Sequence, residues 1–134
     1  MKFVLDENLS PLLAMILDLF DRKNEVRSLL DHFQSGTKDI VWIQSIGTWD
    51  EKPVIVSIDK GILANEVEKR MLKESNLAYV LLTRGWQLEW NVMVYKLIQV
   101  WPKIVQEVSH AREKCLFRVT PMLKVEKFIE INKL

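Results

Sequence analysis

Short, continuous apolar runs alternate with helical patterns along this chain, and this alternation constrains the fold more than any other feature. Residues 3–5, 54–58 and 79–82 form three such runs. Because their hydrophobicity is continuous rather than alternating, they are typical of strands buried on both faces, as in a parallel sheet. Helices that connect parallel strands cover both faces of the sheet. The sequence therefore predicts an α/β fold, with three α/β/α layers around a mainly parallel central sheet.

The helices are predicted from capping residues and from apolar side chains at helical spacing. Ser10 and Pro11 are suited to an N-cap and to the first helical position. Pro102 should kink or split the longest helix, because proline has no backbone N–H to donate. The predicted helices run from residue 11 to 20, from a Ser35 or Thr37 cap to about Gly47, from 62 to 74, and from about 87 to 109.

Three other segments complete the predicted sheet. Residues 26–33 fit either a short second strand or a helical face, and the pattern alone does not decide between them. A turn at Pro121 separates two strand-like segments, residues 116–119 and 125–131. They predict a C-terminal pair of strands, for which a hairpin is one arrangement.

Length, charge and cysteine usage limit the class of protein. A chain of 134 residues predicts a single domain over residues 1–134. The net charge of +1 argues against a generally basic surface for nucleic acid, although it allows a local basic patch. Cys115 is the only cysteine and cannot form an internal disulfide, so we expect a cytoplasmic location. No apolar run approaches the ~20 residues that cross a bilayer, and the N-terminus lacks the pattern of a signal peptide.

Acidic residues follow two of the predicted strands. Asp6 and Glu7 come after the first strand, and Asp59 comes after the central one. In parallel sheets, ligands bind at the carboxyl ends of the strands. Crowded carboxylates repel one another, and Mg²⁺ or Mn²⁺, which prefer oxygen ligands, would relieve that repulsion. Each acid also has a structural explanation, since Asp6, Asp59 and Asp39 all lie where an acid could cap a helix or complement its dipole.

Three further side chains are candidates for contacting a substrate. Lys60 and Arg84 lie next to strand ends and could hold a phosphate, or they could be solvated surface cations. Ser57, two residues before Asp59, could position a substrate or a ligand by a hydrogen bond.

Several segments in order along the chain resemble the PIN-like domain superfamily. These are MKFVLDENLSPLLA, TKDIVWI, VIVSIDKGI and AYVLLTRGW, with VWPKIVQEV and CLFRVTP later in the chain. The opening D-E-x-L-x-P element resembles the VapC-type branch. The resemblance implies an α/β/α fold with an acidic cluster that binds Mg²⁺ or Mn²⁺. It also implies a cytoplasmic toxin that hydrolyses RNA and is inhibited by a cognate antitoxin protein, and it leaves a homodimer open.

The resemblance assigns roles to particular residues. Asp6 matches the aspartate after the first strand, Asp39 matches the acid three positions before a tryptophan, and Asp59 matches the acid after the central strand. These three are the implied catalytic residues and metal ligands, and Glu7 is a further candidate ligand. One position departs from the pattern, because many members carry another acid where this chain has Gly61. We therefore expect one firmly held metal ion and one labile one.

Two alternatives remain open from the sequence. A catalytically degenerate PIN-like module would bind a partner protein without cleaving RNA, and Gly61 favours it. A phospho-acceptor receiver domain would also place acids after the first strand and a hydroxyl residue such as Thr83 after a later strand. A receiver additionally needs a lysine at the end of a late strand, and the late candidate Lys103 lies within a helical pattern.

Overall fold

A single six-stranded sheet forms the centre of the molecule. The computed structural model describes residues 1–134, and its strand order is β2-β1-β3-β4-β5-β6. The first five strands are parallel, and β6 pairs antiparallel with β5. The predicted α/β class and the C-terminal strand pair are therefore confirmed. The elements are β1 Lys2–Leu5, α1 Pro11–Phe20, β2 Glu25–Ser28, α2 Asp39–Ile46, β3 Val54–Ile58, α3 Glu66–Ser75, β4 Tyr79–Leu82, α4 Trp90–His110, β5 Cys115–Val119 and β6 Val125–Glu130.

Each face of the sheet has its own hydrophobic core. On one face, Phe3, Leu5 and Val56 pack with α1 and α4. On the other face, Val4 and Ile55 pack with α2 and α3. Successive side chains of a strand point to opposite faces, so a strand that is buried on both faces must be apolar at every position. This arrangement accounts for the continuous apolar runs in the sequence.

The second strand resolves the ambiguity of residues 26–33. β2 covers Glu25–Ser28 and is followed at once by a short 3₁₀ turn, Leu29–Asp31. Ser28 caps this turn by accepting a hydrogen bond from the Leu30 amide. The segment therefore contains both a strand and a helical turn, and a single hydrophobic period could not describe it.

Two details of the predicted helices are wrong. α4 runs unbroken from Trp90 to His110 with Pro102 inside it, so the predicted split is wrong, and the alternative of a kink stays a prediction. Buried side chains on both sides of the proline, including Leu97 and Ile104, hold the helix against the sheet. The second error is the cap of α2, which is Lys38, without a side-chain hydrogen bond. The hydroxyls expected to cap it are engaged elsewhere, since Ser35 donates to Glu7 and Thr37 donates to the Gln34 carbonyl.

No helix of the structure has both the length and the apolar character needed to cross a membrane.

Candidate acidic site

Asp6 is the only acid that is fully buried, with 1% of its surface exposed. Its amide donates to the Val56 carbonyl at 2.9 Å, so the backbone pairing of β1 with β3 continues to the edge of the sheet. Its Oδ1 accepts a hydrogen bond from the Glu7 amide at 2.6 Å. Its Oδ2 accepts no well-directed hydrogen bond, although Lys60 Nζ lies 2.8 Å away. The ammonium therefore offsets the charge of Asp6 but leaves one buried oxygen short of a hydrogen-bond donor.

Lys60 joins Asp6 to a second acid. Its Nζ lies 2.8 Å from Asp6 Oδ2 and 3.8 Å from Asp39 Oδ1. Asp39 is the first residue of α2, where its charge complements the helix dipole, and its Oδ1 accepts a hydrogen bond from Trp42 Nε1 at 3.1 Å. Residues three apart lie on the same side of a helix, which explains why this acid precedes a tryptophan by three positions. The structure thus brings together Asp6, Asp39 and Lys60.

Glu68 is a third acid at this place, and sequence reasoning missed it. It lies in the first turn of α3, with its amide capped by Asn65 at 3.0 Å. Asp39 and Glu68 line the same cleft of about 440 Å³, between the N-termini of α2 and α3. An asparagine followed three residues later by a glutamate indicates a helix start. That pattern could locate Glu68 at the start of α3, but it could not show that α3 begins beside α2.

The pKa values of the acids indicate that the cluster lacks positive charge. Burial raises the pKa of Asp6, and the charge of Asp39 raises it further, while Lys60 and the Glu7 amide oppose the rise without cancelling it. Burial likewise raises the pKa of Glu68, as do the charge of Asp39 and a hydrogen bond with it. The pKa of Lys60 is raised because Asp6 and the other acids outweigh its partial burial. One ammonium shared by three carboxyl groups is too little to neutralise them.

The raised pKa values predict that the protein is less stable at neutral pH than in mild acid. Between the ordinary carboxyl pKa and the raised one, the folded state binds more protons than the unfolded state, so the free energy of unfolding falls as the pH increases. We expect the melting temperature, measured without divalent metal, to fall as the pH increases above the ordinary carboxyl pKa of about 4. Asp6→Asn or Glu68→Gln should flatten this dependence and should not lower stability at neutral pH. Unfolding of the Asp6→Asn variant would instead identify Asp6 as a structural cap.

Two other predicted ligands make their hydrogen bonds outside the group formed by Asp6, Asp39 and Lys60. Asp59 Oδ1 accepts a hydrogen bond from the Gly61 amide at 2.8 Å, and no ion pair or hydrogen bond joins Asp59 to Asp6, Asp39 or Lys60. Gly61 has a φ of +85°, which favours glycine, so this tight turn explains why no acid follows Asp59 at that position. Glu7 accepts hydrogen bonds from the Ser35 hydroxyl and the Gly36 amide, at 3.1 Å to Oε2 in each case. These contacts give Glu7 a role in holding the loop before α2.

The three predicted substrate contacts lie in different surroundings. Ser57 is 1% exposed and its hydroxyl is 2.6 Å from the Tyr79 hydroxyl, so it faces the core here, and its contact with a substrate stays a prediction. Lys60 is held by the acids rather than free for a phosphate. Arg84 is exposed just after β4, and its side chain makes no ion pair or hydrogen bond. Of the three, Arg84 remains an available cation at the carboxyl edge of the sheet.

The acids are of the chemical type that binds hard cations, but their side chains are not grouped around one metal position. No group of three or more His, Cys, Asp and Glu side chains is close enough together to hold a metal ion. The ligand atoms are nevertheless carboxylate oxygens, which Mg²⁺ and Mn²⁺ prefer. One of them, Asp6 Oδ2, is buried without a hydrogen bond, and the Lys60 ammonium lies where a cation would be shared by Asp6 and Asp39. A metal ion would therefore compete with an internal cation for these oxygens.

The structure lacks the lysine that a receiver domain requires. A receiver needs a lysine at the end of its last parallel strand, but β5 ends at Val119 and is followed by Thr120. Lys103 lies within α4.

Comparison with known proteins identifies the family. No curated protein and no solved structure matches the chain. A family model described as PIN like domain matches residues 1–84, which span β1 to β4 and include all the acids described above. PIN-like domains are typically nucleases and generally use divalent metal ions. Because the match covers more than half of the 134 residues, the chain belongs to the PIN-like domain family.

Proposed function

We propose that this protein is a metal-dependent endoribonuclease and the toxin of a toxin–antitoxin pair, as the VapC-type opening element suggests. The observation that carries the proposal is the buried carboxylate of Asp6 at the end of β1, whose Oδ2 contacts only the ammonium of Lys60, a side chain that also lies near Asp39. Burying a charged group with an unfilled oxygen is costly to the fold. A ligand that binds there is the simplest reason to retain it.

Asp6 and Asp39 would hold the cation, and Asp59 stays a predicted further ligand. A bound Mg²⁺ or Mn²⁺ would supply positive charge for the phosphoryl oxygens and would orient the phosphate. The side chain of Asp6 is fixed for this role, because its Oδ1 is held by the Glu7 amide. Trp42 fixes Asp39 in the same way through its indole N–H. Both carboxylates are therefore oriented before a ligand arrives.

Glu68 is the candidate proton donor. Its raised pKa means that it keeps its proton to a higher pH than an ordinary glutamate does. Phosphodiester hydrolysis needs a proton on the leaving oxygen, and a half-buried carboxyl group at a cleft suits that role. Asp39, the acid that raises the pKa of Glu68, lines the same cleft and could accept a proton from the attacking water.

The substrate we propose is single-stranded or looped RNA. Proteins reach individual RNA nucleotides most readily where the bases are unstacked. Lys38 lines the acidic cleft, and Arg84 is exposed at the same edge of the sheet, so both could hold backbone phosphates. The net charge of +1 offers no general attraction to RNA. With so few phosphate contacts, affinity should fall only modestly as salt increases.

The test is cleavage of a broad RNA pool by protein purified without its antitoxin. We expect endonucleolytic products with Mg²⁺ or Mn²⁺, loss of cleavage with EDTA, and recovery when Mn²⁺ is added. The Asp6→Ala and Asp59→Ala variants together serve as a control for contamination, because products that persist at the wild-type rate in both would point to a co-purified nuclease. A small neighbouring gene whose product binds this protein and stops cleavage would support the toxin role and a cytoplasmic location.

The degenerate binding module is a second candidate because of Lys60. An ammonium that already pairs with Asp6 and Asp39 could replace the metal permanently and leave only a scaffold. Wild-type protein that binds Mn²⁺ without cleaving any RNA in the pool, or that binds no Mn²⁺, would favour this candidate.

A further inference from the structure

Arg118 is the one charged residue of β5, and no acid pairs with it. The residue opposite it on β6 is Glu126, but the Glu126 carboxylate pairs with Lys124 Nζ at 3.0 Å. The half-buried Arg118 guanidinium instead lies over the ring of Phe128, 3.7 Å from the ring centroid. The N–H donors at the edge of the guanidinium therefore have no partner within the protein.

A β-bulge presents Phe128 to this guanidinium. The register of β5 and β6 shifts between Leu116 and Phe117, and Phe128 is the extra residue on β6. Bulges at the edges of sheets re-aim a side chain, and β6 is an edge strand. The Phe128 ring is 47% exposed. The Arg118–Phe128 pair is thus open to solvent on a face of the sheet.

The Arg118–Phe128 pair lies on the same face of the sheet as the acids. Side chains two residues apart on a strand share a face. Leu116 belongs to the core under α2 and α3, so Arg118 lies on that face. Val4 belongs to the same core, so Asp6 lies on that face as well.

The register of the strands places Asp6 and Arg118 in one row. Arg118 pairs with Leu81 of β4, and Leu81 pairs with Ser57 of β3. The pairing of β1 with β3, continued by one residue, places Asp6 opposite Ser57. Three strand spacings of ~4.8 Å separate the ends of this row, so the backbones of Asp6 and Arg118 are about 14 Å apart. A single RNA strand of a few nucleotides can span that distance, and Arg84 follows β4 between them.

The chemistry of the pair matches an unstacked nucleotide better than an acidic protein segment. A guanidinium offers a planar fork of donors to a phosphate and a flat face to an aromatic ring. Bases of single-stranded RNA stack on such planes, whereas an acidic side chain would use the charge alone. The ring of Phe128 supports the guanidinium from one side and leaves its other side for a base.

We propose that Arg118 and Phe128 bind one nucleotide of the RNA substrate at a distance from the acids. The base stacks on the guanidinium plane, and the edge of the guanidinium donates to a neighbouring phosphate. This inference rests on the proposed ribonuclease function. It adds a substrate contact from β5 and β6, which lie beyond the residues that the family model matches.

Fluorescence anisotropy of labelled single-stranded RNA in EDTA measures binding without cleavage. Arg118→Met should weaken binding roughly tenfold, the scale of one lost stacking contact. It should also reduce the slope of the logarithm of the binding constant against the logarithm of the salt concentration by about 0.7, because one phosphate contact is lost. Arg118→Lys and Phe128→Leu should weaken binding but keep the slope, because both retain a positive charge and lose the stacking platform.

Lys127→Met is the matched control for the loss of one positive charge. Lys127 precedes Phe128 on β6 and opposes Phe117, which belongs to the core on the other face of the sheet. This variant should bind RNA like wild type and keep the salt slope. Circular dichroism of each variant separates loss of binding from loss of folding.

Cleavage kinetics distinguish this inference from the nuclease proposal. With Mn²⁺, Arg118→Met should raise KM and leave kcat unchanged, because the contact is made equally in the substrate and the transition state. On oligonucleotides too short to reach the pair, it should match wild type. Folded Arg118→Met that binds long RNA with the wild-type affinity and salt slope would overturn this inference and leave the nuclease proposal intact.

Two results for wild-type protein complete the test. Wild type that binds RNA through Arg118 but cleaves none would support this inference and count against the nuclease proposal alone. Wild type that binds no single-stranded RNA even at low salt would overturn the inference and leave Arg118 to an acidic protein partner.

Discussion

Replacing Asp6 with asparagine should lower the rate of RNA cleavage by roughly a hundredfold or more, the scale seen when a key electrostatic element of an active site is removed. Asparagine keeps the shape of the side chain and can still accept the hydrogen bond from the Glu7 amide. What it loses is the charge that faces Lys60 and Asp39. Because the raised pKa of Asp6 indicates that this charge is unfavourable to the apo fold, the variant should lose activity without losing stability.

The matched control is Asp50→Asn. Asp50 is an exposed acid in the turn before β3, and its side chain makes no ion pair or hydrogen bond. Its variant should cleave RNA at the wild-type rate. Asp39→Asn and Glu68→Gln should each reduce the rate of RNA cleavage. The rate of Asp59→Ala measures whether Asp59 contributes to cleavage although it contacts none of the other acids. Wild-type activity in a folded Asp6→Asn protein would contradict the proposed site entirely.

The sheet could be predicted from the sequence because its signals are local. Residues 54–58 and 79–82 are apolar except at Ser57 and at the hydroxyl of Tyr79, and a strand covered on both faces accounts for that pattern. The acids at the strand ends could be assigned to one edge for the same reason, since parallel strands all end at the same side. Lys60 joins Asp6 to Asp39, which begins α2, but it does not contact Asp59, so the convergence of the two strand-end acids stays a prediction.

The side-chain partners could not be predicted, because they depend on how distant elements meet. Lys60 follows a strand and looked equally suited to a phosphate or to solvent, but its partner is Asp6, 54 positions earlier in the chain. Glu68 is ordinary as a helix-start residue and becomes part of the site only because α3 begins beside α2. Ser57 illustrates the opposite case. It lies two residues before Asp59 in the sequence, but its hydroxyl is buried against Tyr79 instead of being open to a ligand.

The sequence did not predict the exposed face of α1, for a related reason. Apolar residues at helical spacing predict a helix that packs on a core, and Leu13 and Leu17 do so. Leu12 and Leu19 belong to the same run of apolar letters but face solvent. A helix only ten residues long gives few turns from which to separate the two sides, so the structure was needed to show that one of them is uncovered.

The second large effect is expected from replacing Lys60, because a metal ion must displace the Lys60 ammonium from Asp6 and Asp39. Its side chain is 43% exposed, so it can swing into solvent without disturbing the core. A competing internal cation weakens the apparent affinity for an external one. Lys60→Met keeps most of the length of the side chain and removes the competitor, leaving both carboxylates unpaired. The variant should be less stable than wild type at neutral pH without metal and should bind Mn²⁺ more tightly.

Thermal unfolding during titration with Mn²⁺ measures both effects. A ligand at one hundred times its Kd stabilises the folded state by about 2.7 kcal/mol, which for a chain of this size raises the melting temperature by roughly 10 °C. We expect such a rise for wild type at saturating Mn²⁺. If Lys60→Met lowers the Kd about tenfold, the same Mn²⁺ concentration adds about 1.4 kcal/mol to that gain in stability. Asp6→Asn should show little rise at any concentration.

Lys69→Met is the matched control for the lysine variant. Lys69 lies on α3, close in sequence to Glu68, and pairs with the exposed Glu66 rather than with the cluster. Removing it takes away one positive charge from the same region, so any general effect of net charge on Mn²⁺ binding appears in both lysine variants. A greater rise in melting temperature for Lys60→Met alone would establish that its ammonium competes with the metal for Asp6 and Asp39. If both variants match wild type, or if Lys60→Met binds Mn²⁺ more weakly, Lys60 does not occupy the cation position, and the metal ligands must lie elsewhere in the domain.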